Sequence, residues 1–319
     1  QLNYYASLNS PHTLYYSDSS NPENAKIIRD KIDKLGDKLN IVYLTSPAGN
    51  LLESFIQLLS SVREKYVAIS GDDDYWIPDT LNQCVEFLEK NPDYESAQGK
   101  AVAFKTENNT VYGKIKVIYD YPRYSLENDT ASERLFSYLG PKHSTIAAAV
   151  LRTDHMLKYH QDSVVIKDYS IRAEFLISCL MLVAGKLKVI DKLGFVHQLH
   201  DSHPSQFSGD TFDWIIDNEN WYSSYTILKN TVVVALMAKD NISQERAEQA
   251  FKQSLWFWIN QIMHGSYNWS TMRGFINTTS SPPRPAKKSL RTKIATHLPL
   301  LKKIYRRFTK RGQLDYEVT

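Results

Sequence analysis

The sequence is poor in cysteine, with Cys84 and Cys179 as its two thiols in 319 residues. Both lie inside apolar patterns with helical spacing, so we predict buried free thiols. Their spacing fits neither a disulfide framework nor a zinc site, and it favours a reducing compartment. The cysteine count therefore excludes the small disulfide-stabilised and zinc-binding classes.

Long apolar runs are also absent. No uncharged stretch reaches the roughly 18 residues that a membrane-spanning helix needs, and no signal peptide is visible at the start. We therefore expect a cytoplasmic protein. An apolar content of 42% and a charged content of 23% are ordinary for a globular chain, and the length allows one large domain or two smaller ones.

Strand and helix patterns alternate along the first part of the chain. Such alternation predicts right-handed βαβ units and an α/β fold with a mostly parallel sheet flanked by helices. Strands are predicted at 12–20, 39–46, 66–70, within 97–121 and at 144–153, with a strand, a turn and a second strand over 186–198. Helices are predicted at the start of the chain and over 22–35, 49–63, 78–90, 130–140, 168–184 and 211–275.

Two polar motifs stand where predicted strands end: "SDSS" at 17–20 and "GDDD" at 71–74. In open α/β sheets, ligands bind at the carboxyl ends of the strands. A cluster of carboxylates favours Mg²⁺ or Mn²⁺, whose coordination substrate phosphates can complete. The alternatives are a solvated turn that caps the helix beginning at Pro78 and a structural calcium loop, although the calcium-loop spacing is missing.

The segment "AISGDDDYWIPDTLNQCVEFLEKNPDY" resembles the D-x-D region of the family 2 glycosyltransferases. "YYSDSSN" resembles the turn after their second strand. "IKDYSIRAEFLISCLMLVAGKLKVIDKLGFVHQLHDSH" resembles their later segment, which ends in a histidine-containing loop. The resemblance covers about residues 1–210 and implies the GT-A fold, together with transfer of a sugar from a nucleotide sugar, with inversion, to a glycan or lipid-linked acceptor.

The resemblance also implies roles for single residues. Asp18 would contact the nucleotide base, and Asp72 would face the ribose or the metal ion. Asp73 would bind Mn²⁺ or Mg²⁺, with Asp74 as the alternative ligand. Asp168 would be the general base that deprotonates the acceptor hydroxyl. One histidine of the loop, His200 or His203 in preference to His197, would complete the metal or diphosphate site.

Each role has a structural alternative. Asp18 could close a turn by bonding its own backbone, and Asp168 stands where a helix cap belongs. Glu174 is a second candidate for the base. Trp76 is interpreted as a core or rim aromatic more readily than as a sugar platform. His197 still lies in the strand pattern and could belong to the core.

The family's usual first strand and its nucleotide-bordering loop are not found ahead of residue 12. This leaves either a truncated chain or a catalytically inactive GT-A-like binding or scaffold protein as alternatives. A nucleotidyltransferase would share the metal and sheet chemistry, but its Gly-rich, basic loop near the start is missing.

The excess of positive charge lies near the end of the sequence. Residues 284–311 contain many Lys and Arg and no acidic residue, with apolar residues interleaved at helical spacing. This pattern predicts a basic amphipathic helix at the inner membrane surface; the alternatives are a solvated helix and, less favoured, a nucleic-acid-binding segment, so no nucleic acid is expected. We predict a catalytic domain at 1–210, a helical region at 211–278, and a linker with the basic tail at 279–319.

Overall fold

The structure is a computed structural model, and it is described here for seven parts of the chain. These are residues 1–46, 51–107, 112–146, 148–168, 171–200, 215 and 219–266. All of them fall in one compact unit, Gln1–Tyr267. The second unit, Asn268–Thr319, lies outside the described residues, and with it lie the predicted linker and basic tail.

Nine α-helices are found in the described parts of the chain. They are α1 (Leu2–Ser7), α2 (Pro22–Leu35), α3 (Leu51–Ser61), α4 (Pro78–Lys90), α5 (Ala131–Leu139), α6 (Thr153–Ser163), α7 (Leu176–Ala184), α8 (Trp221–Asp240) and α9 (Gln244–Ser266). A 3₁₀ turn follows α2 at Gly36–Lys38, and a π-helical turn at Ile171–Phe175 leads into α7. Within these ranges, no helix combines the length and the apolar character needed to cross a membrane.

The described strands form two sheets. The strands are β1 (Leu14–Asp18), β2 (Ile41–Thr45), β3 (Tyr66–Val67), β4 (Tyr75–Trp76), β5 (Tyr94–Thr106), β6 (Ile115–Tyr121), β7 (Val150–Arg152) and β8 (Lys186–Gln198). β1 and β2 form a parallel pair. The other six form one sheet in the order β3-β7-β5-β8-β4, with β6 added beside β5.

The α/β architecture is confirmed, but the sheet is mixed where we expected a mostly parallel one. β5 and β8 are parallel, whereas β3, β4, β6 and β7 each pair antiparallel with a neighbour. The cause is that β6 returns along the edge of β5 as an antiparallel partner, and β7 then pairs with the beginning of the same edge. Only the β1–β2 and β5–β8 pairings, among the described strands, are parallel.

Two predicted elements differ in the structure. The strand predicted at 144–153 is confined to β7, and α6 follows it at once. The segment predicted as strand, turn and strand is the single strand β8. Its register against β5 jumps between Ile190 and Leu193, so Asp191 and Lys192 form a bulge instead of a turn. A bulge absorbs extra residues without ending the pairing.

The sheet separates two apolar clusters because side chains alternate along each strand. Cys84 and Leu88 of α4 pack with Ala97 and Val150. On the other side, Leu151 of β7 belongs to the larger cluster, which also contains residues of α5 to α9. Helices α8 and α9 contribute core residues to it, among them Leu228, Leu236, Phe251 and Leu255. The two predicted free cysteines are both buried thiols.

Candidate functional site

The acidic motif forms a tight loop between β3 and β4. At Gly71, an added Cβ would lie 2.7 Å from Asp73 Oδ1 and 3.3 Å from Asp74 Oδ2. The two carboxylates therefore fold back over the glycine, and a side chain there would displace them. Asp73 and Asp74 are each 8% exposed, whereas Asp72 is exposed. The motif thus holds two buried carboxylates and one in solvent.

Both buried carboxylates are paired with histidines from the end of β8. His200 Nε2 lies 2.8 Å from Asp73 Oδ2, and His197 Nδ1 lies 2.6 Å from Asp74 Oδ1. The Gln198 amide also donates to Asp74 Oδ1, at 3.3 Å. His200 is only 6% exposed. Two carboxylate–imidazole pairs therefore connect the acidic loop with a segment more than 120 residues further along the chain.

The short strand β4 explains why these groups meet. β4 pairs antiparallel with β8, which places Tyr75 opposite Val196 and Trp76 opposite Phe195. The residues just before β4 consequently face those just after Phe195. Trp76 is 3% exposed, and its indole Nε1 donates to the Ile69 carbonyl at 3.2 Å. This burial supports the core interpretation of Trp76 over a sugar platform.

The structure brings His197 to the acidic loop as well, although the sequence favoured His200 or His203 for the metal or diphosphate site. Strict strand alternation would place His197 and His200 on opposite faces, yet both reach the acidic loop. The strand ends at Gln198, so alternation no longer governs the direction of His200. His203 lies outside the described residues.

Arg123 is a buried cation at this site that the sequence analysis missed. Its guanidinium lies 4.6 Å from the ring centroid of Phe195 and 5.7 Å from that of Trp76. Burial lowers the pKa of Arg123 to about 10, with the charge of Tyr121 opposing the shift, so the side chain stays charged at neutral pH. Besides a hydrogen bond of 3.5 Å to the Gly99 carbonyl, its contacts are with aromatic faces, and no spacing in the sequence predicts such contacts.

Asp18 lies at the end of β1 and is buried. Its Oδ1 accepts from the Ser20 amide at 2.8 Å, and its Oδ2 accepts from the Tyr43 hydroxyl. Burial acts to raise the pKa of Asp18, but the hydrogen bonds from Tyr43 and Ser20 and the charge of Arg29 outweigh it and leave the pKa lowered. The bond to Ser20 is that of the turn-closing alternative.

Asp168 is buried before the π-helical turn. Its Oδ1 accepts from the Ile171 amide at 3.0 Å, and its own amide donates to Ser224 Oγ of α8 at 3.0 Å. The side chain thus caps the π-helical turn, as expected from the alternative to a catalytic role. Glu174, the second candidate for the base, is exposed on the same turn and lines a cavity beside α9.

The donor atoms around the acidic loop are of the types that Mn²⁺ and Mg²⁺ accept in proteins, carboxylate oxygen first and imidazole nitrogen second. In the described parts of the chain, however, no three Asp, Glu, His or Cys side chains are arranged to hold a metal ion. The pairs Asp73–His200 and Asp74–His197 each offer two donors. Such a set fits an ion whose remaining ligands come from a bound substrate.

A match to a known family covers the part of the chain that contains the acidic loop. Residues 12–146 match the sequence model of glycosyl transferase family 2. This segment contains β1, the acidic loop and α4, and it ends before Asp168 and the histidines. Residues 12–146 are thus similar to a family 2 glycosyltransferase domain.

Similar solved structures include three of TarS from S. aureus. The first, of residues 1–349, has 15% identity over 88% of this chain and 70% of that chain, with a TM-score of 0.45. The second, of the same fragment with UDP-GlcNAc, has 15% identity over 86% of this chain and 70% of that chain, with a TM-score of 0.48. The third, titled simply as TarS, has 12% identity over 86% of this chain and 42% of that chain, with a TM-score of 0.42. No curated protein matches the sequence.

Proposed function

We propose that this chain is a metal-dependent, inverting glycosyltransferase that moves a sugar from a nucleotide sugar to a hydroxyl group of a glycan or lipid-linked acceptor. The observation that carries the proposal is the buried pair Asp73 and Asp74, held at the end of a strand inside the segment that matches family 2. Burying two neighbouring carboxylates is costly. A divalent cation and a diphosphate would offset that cost.

In this proposal the donor binds across the carboxyl ends of β1 and β3. Asp18 contacts the nucleotide base and Asp72, which is exposed, faces the ribose or the metal. Asp73 and His200 hold Mn²⁺ or Mg²⁺, with Asp74 as the alternative ligand, assisted by His197. The metal ion, when bound, would neutralise the negative charge that develops on the departing diphosphate.

The acceptor side of the reaction needs a base. Asp168 takes the proton of the attacking hydroxyl while the sugar passes through an oxocarbenium-like state. A single displacement with one base inverts the anomeric centre. The cap that Asp168 makes with the Ile171 amide holds its carboxylate in one orientation, which a base also requires.

The test is thermal stabilisation by nucleotide and metal together. UDP with Mn²⁺, at about 100 times its Kd, should stabilise the folded chain by about 2.7 kcal/mol, and neither component alone should do as much. Asp73→Ala should abolish the shift. Asp120→Ala, which removes an exposed aspartate of β6, is the matched control and should keep it. No stabilisation of the wild type by any nucleotide with metal would favour a catalytically inactive scaffold.

Transfer assays then identify the donor. A panel of UDP-sugars, with UDP-GlcNAc, the ligand of one TarS structure, as a member, should show metal-dependent release of UDP. NMR of the product's anomeric proton should report inversion. Retention of configuration would contradict the single-displacement mechanism.

The basic tail gives the proposed location, which is the inner face of the membrane. Each Lys or Arg near an anionic surface contributes about 1 kcal/mol. The full chain should sediment with vesicles that contain phosphatidylserine and stay in solution with neutral phosphatidylcholine vesicles. A chain ending at residue 278 is the control and should bind neither; equal binding by both chains would contradict the assignment to the tail.

A further inference from the structure

A cavity separate from the acidic loop lies between α5, the π-helical turn and α9. Its volume is about 180 Å³, well above the roughly 10–15 Å³ that one water molecule needs. The described residues of its wall include Tyr138, His143, Ser144, Glu174, Phe175 and Trp258. A space of this size accommodates one small ring-shaped ligand.

Part of the cavity lining is aromatic. The rings of Phe175 and Trp258 lie 4.6 Å apart between centroids, and those of Tyr138 and His143 lie 5.1 Å apart. His143 and Trp258 are 6.5 Å apart and join the two pairs. Aromatic faces offer flat apolar area to the C–H face of a ligand.

The lining also contains polar groups, one of which lacks a hydrogen-bond partner in the described parts of the chain. Ser144 Oγ is buried and has no hydrogen-bond partner in the described parts of the chain. Glu174 brings an exposed carboxylate and Ser178 a hydroxyl. A buried hydroxyl without a partner costs free energy unless water or a ligand supplies one. Ligand sites use a small number of such polar groups to fix the orientation of the ligand.

A short chain of contacts leads from this cavity to the acidic loop. Thr145 lines the cavity, and its Oγ1 lies 2.7 Å from the Tyr121 hydroxyl. The Tyr121 ring lies 5.3 Å from the ring of His197, which in turn contacts Asp74. The cavity is therefore a neighbour of the candidate donor site and not part of it.

We propose that this cavity binds one sugar unit of the acceptor, an assignment that rests on the proposed glycosyltransferase function. A pyranose ring presents an apolar C–H face and an edge of hydroxyl groups, which match the aromatic rings and the polar groups of the lining. Among the described residues no Lys or Arg lines the cavity, so a neutral ring fits better than a phosphate group.

The test fills the cavity. Ser144→Leu places a larger side chain in the wall, and Ser223→Leu makes the same change on an exposed turn of α8 as a matched control. His143→Ala, at a more exposed position, serves as a second variant should Ser144→Leu fold poorly. Saturation-transfer NMR on the full chain then measures binding of the methyl β-glycosides of glucose, galactose, mannose and N-acetylglucosamine.

We expect at least one of these compounds to bind the wild type and the Ser223→Leu variant. Ser144→Leu should weaken that binding by roughly tenfold or more, and His143→Ala by about threefold, as loss of polar and aromatic contacts predicts. UDP binding with Mn²⁺ should be unchanged in all three variants. In transfer assays the KM for the acceptor should rise while kcat for donor hydrolysis is kept.

Binding of the sugars that Ser144→Leu leaves intact would overturn the proposal, as would a wild type that binds UDP with Mn²⁺ but none of the four compounds. In both cases the glycosyltransferase function itself would stand. A chain that binds the sugars at this cavity but no nucleotide would instead overturn the proposed function, and with it the acceptor role.

Discussion

Asp18 ends β1 and Asp73 follows β3, and the partners of these two buried carboxylates come from very different parts of the chain. Asp18 is bonded by Ser20 and Tyr43, both within the β1–α2–β2 unit. Asp73 is bonded by His200, which is 127 residues away. The first carboxylate is bonded within its own local unit, whereas the second has a partner that reaches it only when the acidic loop and the end of β8 are brought together.

This difference in partners determines which contacts a bound ligand would disturb. A donor or metal ion that binds Asp73 or Asp74 competes with the histidines for these carboxylates. Its binding would therefore also change how strongly the acidic loop is held to the end of β8. Competition for Asp18 affects one βαβ unit alone. Asp168 resembles Asp18, because its carboxylate is engaged by the amide of a residue three positions later.

The largest expected effect separates capping from catalysis at Asp168. Asp168→Asn keeps a side-chain oxygen that can accept from the Ile171 amide, so the midpoint of thermal unfolding should stay near that of the wild type. As a base the residue contributes roughly 10²–10⁴-fold in rate, so transfer should fall by that factor. Glu174→Gln tests the second candidate for the base; a larger loss of rate there than in Asp168→Asn would move the base to Glu174.

Next in size is the contrast in activity between the two strand ends. Asp73→Asn should reduce transfer by roughly 10²–10³-fold, the usual loss when a group that stabilises developing charge is removed. Asp18→Asn should raise the KM for the donor by about tenfold and leave kcat nearly unchanged. Steady-state kinetics with the identified UDP-sugar measures both parameters. Equal losses of kcat in the two variants would contradict the predicted difference between the two aspartates.

The long-range pair should appear as a coupling free energy. In a double-mutant cycle, the free energies of unfolding of Asp73→Ala, His200→Ala and the double variant should be non-additive by about 1–3 kcal/mol, because each single change leaves one buried polar group without its partner. Urea denaturation in the absence of metal gives these values. Additivity within about 0.5 kcal/mol would show that the pair does not hold the two segments together.

The smallest effect is the pH dependence at Asp18. Its pKa is lowered in the folded chain from an ordinary value of 3.8, so its contribution to stability is present above that value and lost as the pH falls through the folded pKa. The difference in unfolding free energy between the wild type and Asp18→Asn should therefore be larger at pH 7 than at pH 3. A difference that does not change with pH would contradict the lowered pKa.

Much of the fold was predictable because strand and helix periods alternate cleanly up to Asn91. The match of prediction and structure is closest at α2, where Asn21 caps the helix and Gly36, at φ 51°, ends it. Helix α6 was missed because polar residues share its buried face. His160 and Ser163 lie there beside Met156 and Tyr159, and this mixture hides the helical period.

The candidate site was also predictable in part, because one of its components is a local sequence signal. Three adjacent aspartates after a strand are a strong local signal, and so is a nearby glycine. The pairing of Asp74 with His197 and the position of Arg123 depend on the register of β4 against β8. Local spacing contains no information on which residue of one strand faces which residue of another.

The indole of Trp76 links the two ends of the acidic loop, because its Nε1 donates a hydrogen bond to the Ile69 carbonyl at 3.2 Å. The Tyr5 hydroxyl secures the same residue by accepting from the Trp76 amide at 3.0 Å. Only the few residues between Ile69 and Trp76 are left to adjust when a ligand arrives. The conformational entropy of the loop is thus largely lost during folding, and binding needs to order fewer rotamers, which raises affinity without adding a contact.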